Sequence, residues 1–156
     1  MFDFQDGNGP VPAKRHINPD GSKGGWVADT AKVEKTAWVY GNAQVFGDAE
    51  VFENALVYGY SQVYGDAKVS GNAWVSGYAR VYGNARVFGN ALVDGDASVS
   101  GNAWVYGDAL VSGNAQVFGN AKVFGNAWVS SYDQVCENAK VDGDTNKQGL
   151  NNETTN

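Results

Sequence analysis

The sequence predicts an all-β fold: a single-stranded parallel β-helix of triangular cross-section that runs from residue 26 to residue 144. Two observations predict it. Valine recurs every six residues without interruption from Val27 to Val141, which places twenty valines in one phase. The residues that precede these valines also sort by polarity when every third repeat is compared, so three repeats are expected to close one coil.

Each repeat of six residues is predicted to be one short strand followed by a bend. From position 31 on, alanine stands two residues before every valine except where Ser61 and Asp133 replace it. Residues two apart on a strand point to the same side, so the alanines and valines are predicted to fill the core. Glycine followed by Asn or Asp supplies the bend, because these residues accept a positive φ at low cost. A period of six does not keep one face of a 3.6-residue helix, which excludes a helical repeat.

The residue before each valine distinguishes the three predicted faces, two of them mostly polar and one wholly apolar. The first face carries Trp26, Gln44, Gln62, Arg80, Ser98, Gln116 and Gln134. The second carries Lys32, Glu50, Lys68, Arg86, Trp104, Lys122 and Lys140. The third, which we call the Trp/Leu stripe, consists of Trp38, Leu56, Trp74, Leu92, Leu110 and Trp128. Coils of two or four repeats would mix these columns, so the sorting predicts three hexapeptides per coil and about six to seven coils, stacked about 4.8 Å apart.

The consensus Gly-Asn/Asp-Ala-x-Val-x, seen as GNAWVS at 71–76, resembles the hexapeptide-repeat family of left-handed β-helix proteins. Within that family it resembles a GNAxVx subgroup of uncharacterised bacterial and phage repeat proteins. The resemblance covers roughly residues 27–144 and implies a left-handed coil and a homotrimer. Glycine stands one position later here than in the family pattern, with Asn or Asp after it.

The two ends depart from the repeat. Residues 1–25 are interpreted as a cap, because an uncovered first coil would be an unpaired sheet edge. Residues 145–156 are polar and are expected to form a disordered tail. Asp133 replaces an inward alanine, and an unpaired carboxylate is costly in a dry core, so the last coil is expected to be open to water.

Composition and charge argue against several classes of protein. The net charge of −6 disfavours nucleic acid as a partner. The single cysteine, Cys136, excludes an internal disulfide framework. Without an apolar run of about 18 residues, no membrane insertion is expected. The first residues lack the apolar core of a signal peptide, so we expect a cytoplasmic protein, or a part of a phage or cell-surface assembly that has no cleaved signal.

His16, the only histidine, is the one candidate for a catalytic residue. Many hexapeptide-repeat proteins are acyltransferases, in which a histidine acts as base beside a coenzyme A site, and the resemblance makes that activity an alternative here. No loop interrupts the twenty repeats, however, so we expect neither an enzyme nor a cofactor. The zinc carbonic anhydrases of the family need three histidine ligands, which excludes that activity.

Two outward patterns suggest ligands. Stacking in register would place Asp48 beside Asp66, and paired carboxylates suit a cation such as Ca²⁺, although ordinary turn chemistry also explains this column. Aromatic residues follow the valines on two faces and are expected to stack, either for stability alone or as a surface for a glycan. These rings are Phe46, Tyr64, Tyr82 and Phe118 on one face, and Phe52, Phe88, Tyr106 and Phe124 on the other.

The Trp/Leu stripe, together with Tyr58, Tyr60 and Tyr78, is predicted to be a subunit interface. A contiguous apolar stripe of this length differs from the scattered apolar residues of an ordinary surface, although stacking for stability would also explain it. The predicted function is therefore a rigid, self-associating scaffold. The two alternatives are an acyltransferase that uses His16 and a glycan-binding module.

Overall fold

The computed structural model describes residues 1–143, and its strands follow the six-residue repeat. From β3 onward every strand has two residues, the valine and the residue before it. Each strand ends in a bend at which a glycine usually adopts a positive φ, for example 67° at Gly47. The predicted tail at 145–156 lies outside the described residues.

The strands form three sheets, each named here for the residues that it presents outward. The glutamine sheet contains, in spatial order, β1 (Ala13–Ile17), β2 (Lys23–Ala28), β5 (Gln44–Val45), β8 (Gln62–Val63), β11 (Arg80–Val81), β14 (Ser98–Val99), β17 (Gln116–Val117) and β20 (Gln134–Val135). The lysine sheet contains β3 (Lys32–Val33), β6 (Glu50–Val51), β9 (Lys68–Val69), β12 (Arg86–Val87), β15 (Trp104–Val105), β18 (Lys122–Val123) and β21 (Lys140–Val141). The tryptophan sheet contains β4 (Trp38–Val39), β7 (Leu56–Val57), β10 (Trp74–Val75), β13 (Leu92–Val93), β16 (Leu110–Val111) and β19 (Trp128–Val129).

Parallel pairing between consecutive coils confirms three hexapeptides per coil. Trp74 pairs with Leu56 on one side and with Leu92 on the other, each 18 residues away. The result is a parallel β-helix of about six turns, and at about 4.8 Å per turn its length is about 30 Å. The three-sheet cross-section is consistent with the predicted left-handed winding.

The core consists of the predicted alanine and valine columns, and most of these side chains are fully buried. Backbone hydrogen bonds join each coil to the next. The N–H of Arg86, for example, donates to the carbonyl of Ala103 at 2.9 Å, and the N–H of Phe88 donates to Val105 at 3.0 Å. The predicted inside and outside positions are therefore confirmed.

The two polar residues in the alanine column both have hydrogen-bond partners. The hydroxyl of Ser61 donates to the carbonyl of Tyr58 at 2.8 Å. Asp133 is only 1% exposed, and its carboxylate accepts a hydrogen bond of 3.1 Å from the backbone N–H of Ser130. The expectation that water enters the core at Asp133 is wrong, because the preceding turn supplies a donor to the carboxylate.

The N-terminal residues cover part of the lower edge of the first coil. β1 pairs antiparallel with β2, and β2 itself crosses the boundary predicted between residues 25 and 26. Asn18 is buried, and its side-chain oxygen accepts a hydrogen bond of 2.9 Å from the N–H of Val39, at the edge of the tryptophan sheet. The ring of Phe4 stacks on Phe46, with 4.7 Å between centroids. Hydrogen bonds and ring stacking thus replace the coil that is missing below.

None of the described residues forms a helix of the length and hydrophobicity that crossing a membrane requires.

Candidate functional surfaces

His16 lies in a groove of about 700 Å³ at the N-terminal end of the rod. Its Nε2 is 2.9 Å from the carbonyl oxygen of Ala37. A carbonyl oxygen only accepts, so Nε2 carries the hydrogen in this contact and is not placed to act as a base. The groove also contains five charged side chains: Lys14, Arg15, Asp29, Lys32 and Glu34.

His16→Ala is expected to lower the free energy of unfolding by about 0.5–1.5 kcal/mol, because it removes a hydrogen bond from the carbonyl of Ala37 at the sheet edge. Thermal unfolding followed by far-UV circular dichroism measures the change. Lys14→Ala on the same strand is the control, since Lys14 is exposed. Binding of acetyl-coenzyme A by the wild-type protein that is lost in His16→Ala would instead support the acyltransferase alternative.

Asp48 and Asp66 are exposed at bends that lie one coil apart on the same corner. The N–H of Asp48 donates to the carbonyl of Gly65 at 2.9 Å. Higher on the same corner, the side chain of Asn102 donates to that of Asn120 at 3.3 Å. Within residues 1–143, no group of three or more His, Cys, Asp or Glu residues is placed to hold a metal ion. The corner is built by turn and amide hydrogen bonds, and calcium binding at the two carboxylates stays a prediction.

The predicted stacking of aromatic rings is confirmed on the glutamine sheet. Phe46, Tyr64 and Tyr82 form one ladder, with centroid separations of 4.8 and 5.0 Å and interplanar angles of 4° and 2°. Burial in this ladder raises the pKa of Tyr64; the neighbouring Tyr82 adds to the rise, and Arg80 opposes it. Phe118 belongs to the same column but lies two coils beyond Tyr82.

The lysine sheet carries a second ladder, in which Phe88, Tyr106 and Phe124 stack at 4.9 and 5.2 Å. Trp104 lies edge-on to Phe88 at 5.8 Å, and the ammonium group of Lys122 is 4.8 Å from the centroid of Trp104. Ring stacking and the cation–π contact both join consecutive coils, so this ladder contributes to the stability of the rod.

The Trp/Leu stripe lies on the outside of the tryptophan sheet, as predicted. Trp74 is 47% exposed and Trp128 is 43% exposed, and the other four members are partly buried. Tyr58 lies edge-on to Trp74, with 6.2 Å between centroids. The stripe is continuous from coil to coil, and its role as a subunit interface stays a prediction.

Tyr60 and Tyr78 lie on the corner between the tryptophan and glutamine sheets. Their rings stack at 5.1 Å with an interplanar angle of 7°, and both are more than half exposed. Tyr132 occupies the same corner further along the rod and is 77% exposed. Of the seven exposed large hydrophobic residues among 1–143, five belong to the stripe or to this corner, which makes it the most apolar side of the described rod.

A depression on the glutamine sheet is not among the predicted sites. It is one coil high and encloses about 370 Å³. We call it the serine trench. It is lined by Tyr78, Arg80 and Tyr82 from one coil, by Asp96 and Ser98 from the next, and by Gln116 from the coil after that. Ser100 and Phe118 follow Tyr82 in register at 18-residue spacing. The sequence contained the signal: at 18-residue spacing, a serine separates two aromatic residues in the column that follows the valines.

Comparison with known proteins agrees with this architecture. A family model described as the YdcK beta solenoid repeat matches residues 61–77, 79–95 and 115–131. The chain is a β-solenoid repeat protein. The matched segments of the solenoid begin 18 and 36 residues apart, and each begins at the inward residue just before a strand of the glutamine sheet. The unit that the family model describes is therefore one coil.

Searches of the curated proteins and of the solved structures returned no match to this chain.

Proposed function

We propose that the solenoid is a rigid scaffold rod that associates with copies of itself through the Trp/Leu stripe. The observation that carries this proposal is the concentration of exposed apolar side chains on one sheet and the adjoining corner. The hexapeptide-repeat resemblance supports a trimer of parallel rods, in the setting of a bacterial or phage assembly. The fold suits the role, because a stack of hydrogen-bonded coils holds a fixed length and presents each face as a straight surface.

The free energy available from the stripe is comparable with the cost of association. Its six residues follow one another at the coil spacing, so the stripe is about 24 Å long. Removing one side chain of this size from water contributes roughly 1.5–3 kcal/mol. These side chains are already partly buried in the monomer, which reduces that gain. The summed gain from six residues per subunit is still comparable with an association cost of about 4–15 kcal/mol. Glutamine and lysine side chains would lose rotamer freedom with no comparable gain.

The test is the double variant Trp74→Lys with Leu92→Lys. We expect a folded monomer, because both side chains point away from the alanine and valine core and two ammonium groups per rod would be buried unpaired in the interface. Sedimentation velocity or light scattering gives the oligomeric state, and far-UV circular dichroism reports whether the sheets persist.

The matched control places the same charges on the glutamine sheet, as Gln62→Lys with Gln116→Lys, and should retain the wild-type oligomer. A wild-type protein that is monomeric at high micromolar concentration would contradict the proposal. An oligomer that persists in the Trp74 and Leu92 double variant would also contradict it. The Phe88 ladder of the lysine sheet would then be the next candidate for the interface.

A further inference from the structure

Two aromatic faces open into the serine trench. Tyr82 is covered on one face by Tyr64, at 5.0 Å, but in the next coil the residue in register with it is Ser100. Tyr78 is likewise covered on one face by Tyr60, and the residue in register on its other side is Asp96. The ladders therefore stop at this coil, and each leaves a ring face without a partner from the chain.

The spacing along the rod between the aromatic positions on either side of Ser100 suits the puckered ring of a sugar. Tyr82 and Phe118 are two coils apart, or about 9.6 Å at a spacing of about 4.8 Å per coil. A flat aromatic ring in carbon contact with rings at both of these positions would need only about 7–8 Å, since each contact is about 3.5–4.0 Å. A pyranose ring is thicker, because its chair carries C–H bonds on both faces. The volume of about 370 Å³ falls in the range of small-molecule sites, roughly 300–1,000 Å³.

The polar groups around these rings are those that hydroxyl groups require. Arg80 offers five N–H donors, Asp96 offers carboxylate acceptors, and Gln116 offers the N–H donors of its amide, whose oxygen already accepts a hydrogen bond of 3.2 Å from Gln134. Arg80 is exposed and, among residues 1–143, forms no ion pair. The presence of one cation and one anion favours a neutral ligand, and the net charge of −6 opposes phosphate groups.

We propose that the serine trench binds a neutral, pyranose-containing oligosaccharide that crosses the rod, with one sugar ring packed against the open face of Tyr82. Arg80 and Asp96 hold adjacent hydroxyl groups of the ligand. The wall from Tyr78 to Tyr82 consists of five residues, which span at most about 13 Å of extended chain, so the site accommodates a short stretch of a linear glycan. It lies on the glutamine sheet, whereas the Trp/Leu stripe lies on the tryptophan sheet; Tyr78, on the corner between the two sheets, belongs both to the trench and to the predicted interface.

The decisive variant is Ser100→Phe, which fills the missing position of the ladder between Tyr82 and Phe118. Isothermal titration calorimetry with cellohexaose, maltohexaose and mannohexaose measures binding to the wild-type rod, where at least one probe is expected to bind with Kd below about 1 mM. Ser100→Phe should weaken that binding at least tenfold, and its melting temperature should equal or exceed that of the wild type, because the added ring continues the stack.

Ser70→Phe is the matched control, since Ser70 interrupts the ladder of the lysine sheet between Phe52 and Phe88 in the same way. It should leave binding at the trench unchanged. Arg80→Ala, at an exposed position outside the ladder, is a second variant that should lose binding and keep the fold. The proposal would be overturned if none of the three probes bound. Unchanged binding in Ser100→Phe, or an equal loss in Ser70→Phe, would also overturn it, as would tighter binding of a nucleotide such as AMP.

Discussion

Val87→Asp is expected to unfold the central coils and to lower the free energy of unfolding by more than about 4 kcal/mol. Val87 is fully buried, and its strand β12 pairs with β9 below and β15 above. A carboxylate at this position has no donor facing it from the core, so the charge is buried without a partner. Because each coil is held only by its neighbours, a break in the middle removes support on both sides.

The control is the same change at the end of the rod. Val141 lies on β21, which is the last strand of the lysine sheet within residues 1–143 and pairs there with β18 alone. Val141→Asp should cost only about 1–2 kcal/mol, because a single terminal coil separates and water reaches the carboxylate. Urea unfolding followed by circular dichroism compares the two. Equal losses in the two variants would contradict the view that each coil depends mainly on its neighbours.

Gly24→Ala is expected to be the second most damaging change, with a loss of about 3 kcal/mol. A Cβ atom at position 24 would overlap the carbonyl oxygen of Val39 and would lie 2.9 Å from the side-chain nitrogen of Asn18. β2 would have to move away from the first coil, and the hydrogen bond from Val39 to Asn18 would be disturbed with it. The variant should therefore show a lower melting temperature and faster amide exchange at Val39.

Gly41→Ala separates this steric effect from the general cost of replacing glycine. Gly41 has a φ of 62°, and a Cβ there would meet nothing nearer than 3.5 Å, the carbonyl oxygen of Gly59. It should cost about 1–2 kcal/mol, because only the left-handed backbone conformation is disfavoured. Glu53, Ser131 and Glu137 already adopt a φ of 59° in equivalent bends, so the fold tolerates side chains there. A smaller loss for Gly24→Ala than for Gly41→Ala would show that β2 is not tightly packed against the first coil.

Much of the fold was predictable because the alternation of side chains along each strand is repeated every six residues along the chain. Alternation along a strand determines which residues are inside, and the 18-residue sorting of outward residues determines how many strands close a coil. The sequence alone thus places Trp74, Leu56 and Leu92 on one sheet, where they pair. The predicted ladders follow from the same register, since residues with equal phase lie directly above one another.

The expectation for Asp133 was wrong because it concerns a contact that the six-residue period does not encode. Asp133 breaks the alanine column, and its carboxylate is satisfied by the N–H of Ser130, which depends on the exact geometry of one turn. The contact between His16 Nε2 and the carbonyl of Ala37, across 21 residues of sequence, is likewise outside the repeat, and the weak candidacy of His16 as a base stays a prediction.

The sequence by itself determined the coil, its three sheets and the identity of its apolar side, because every repeat presents the same alternation and the stacking carries it along the rod. Only the tertiary structure decided how the first coil is covered and where ring faces stay open. Covering the edge required Gly24 and Asn18 to approach Val39, and such an approach depends on the path of a non-repeating segment. Recognising the serine trench required knowledge that the rings lie parallel to one another, since only then does a missing ring leave the faces of Tyr78 and Tyr82 open.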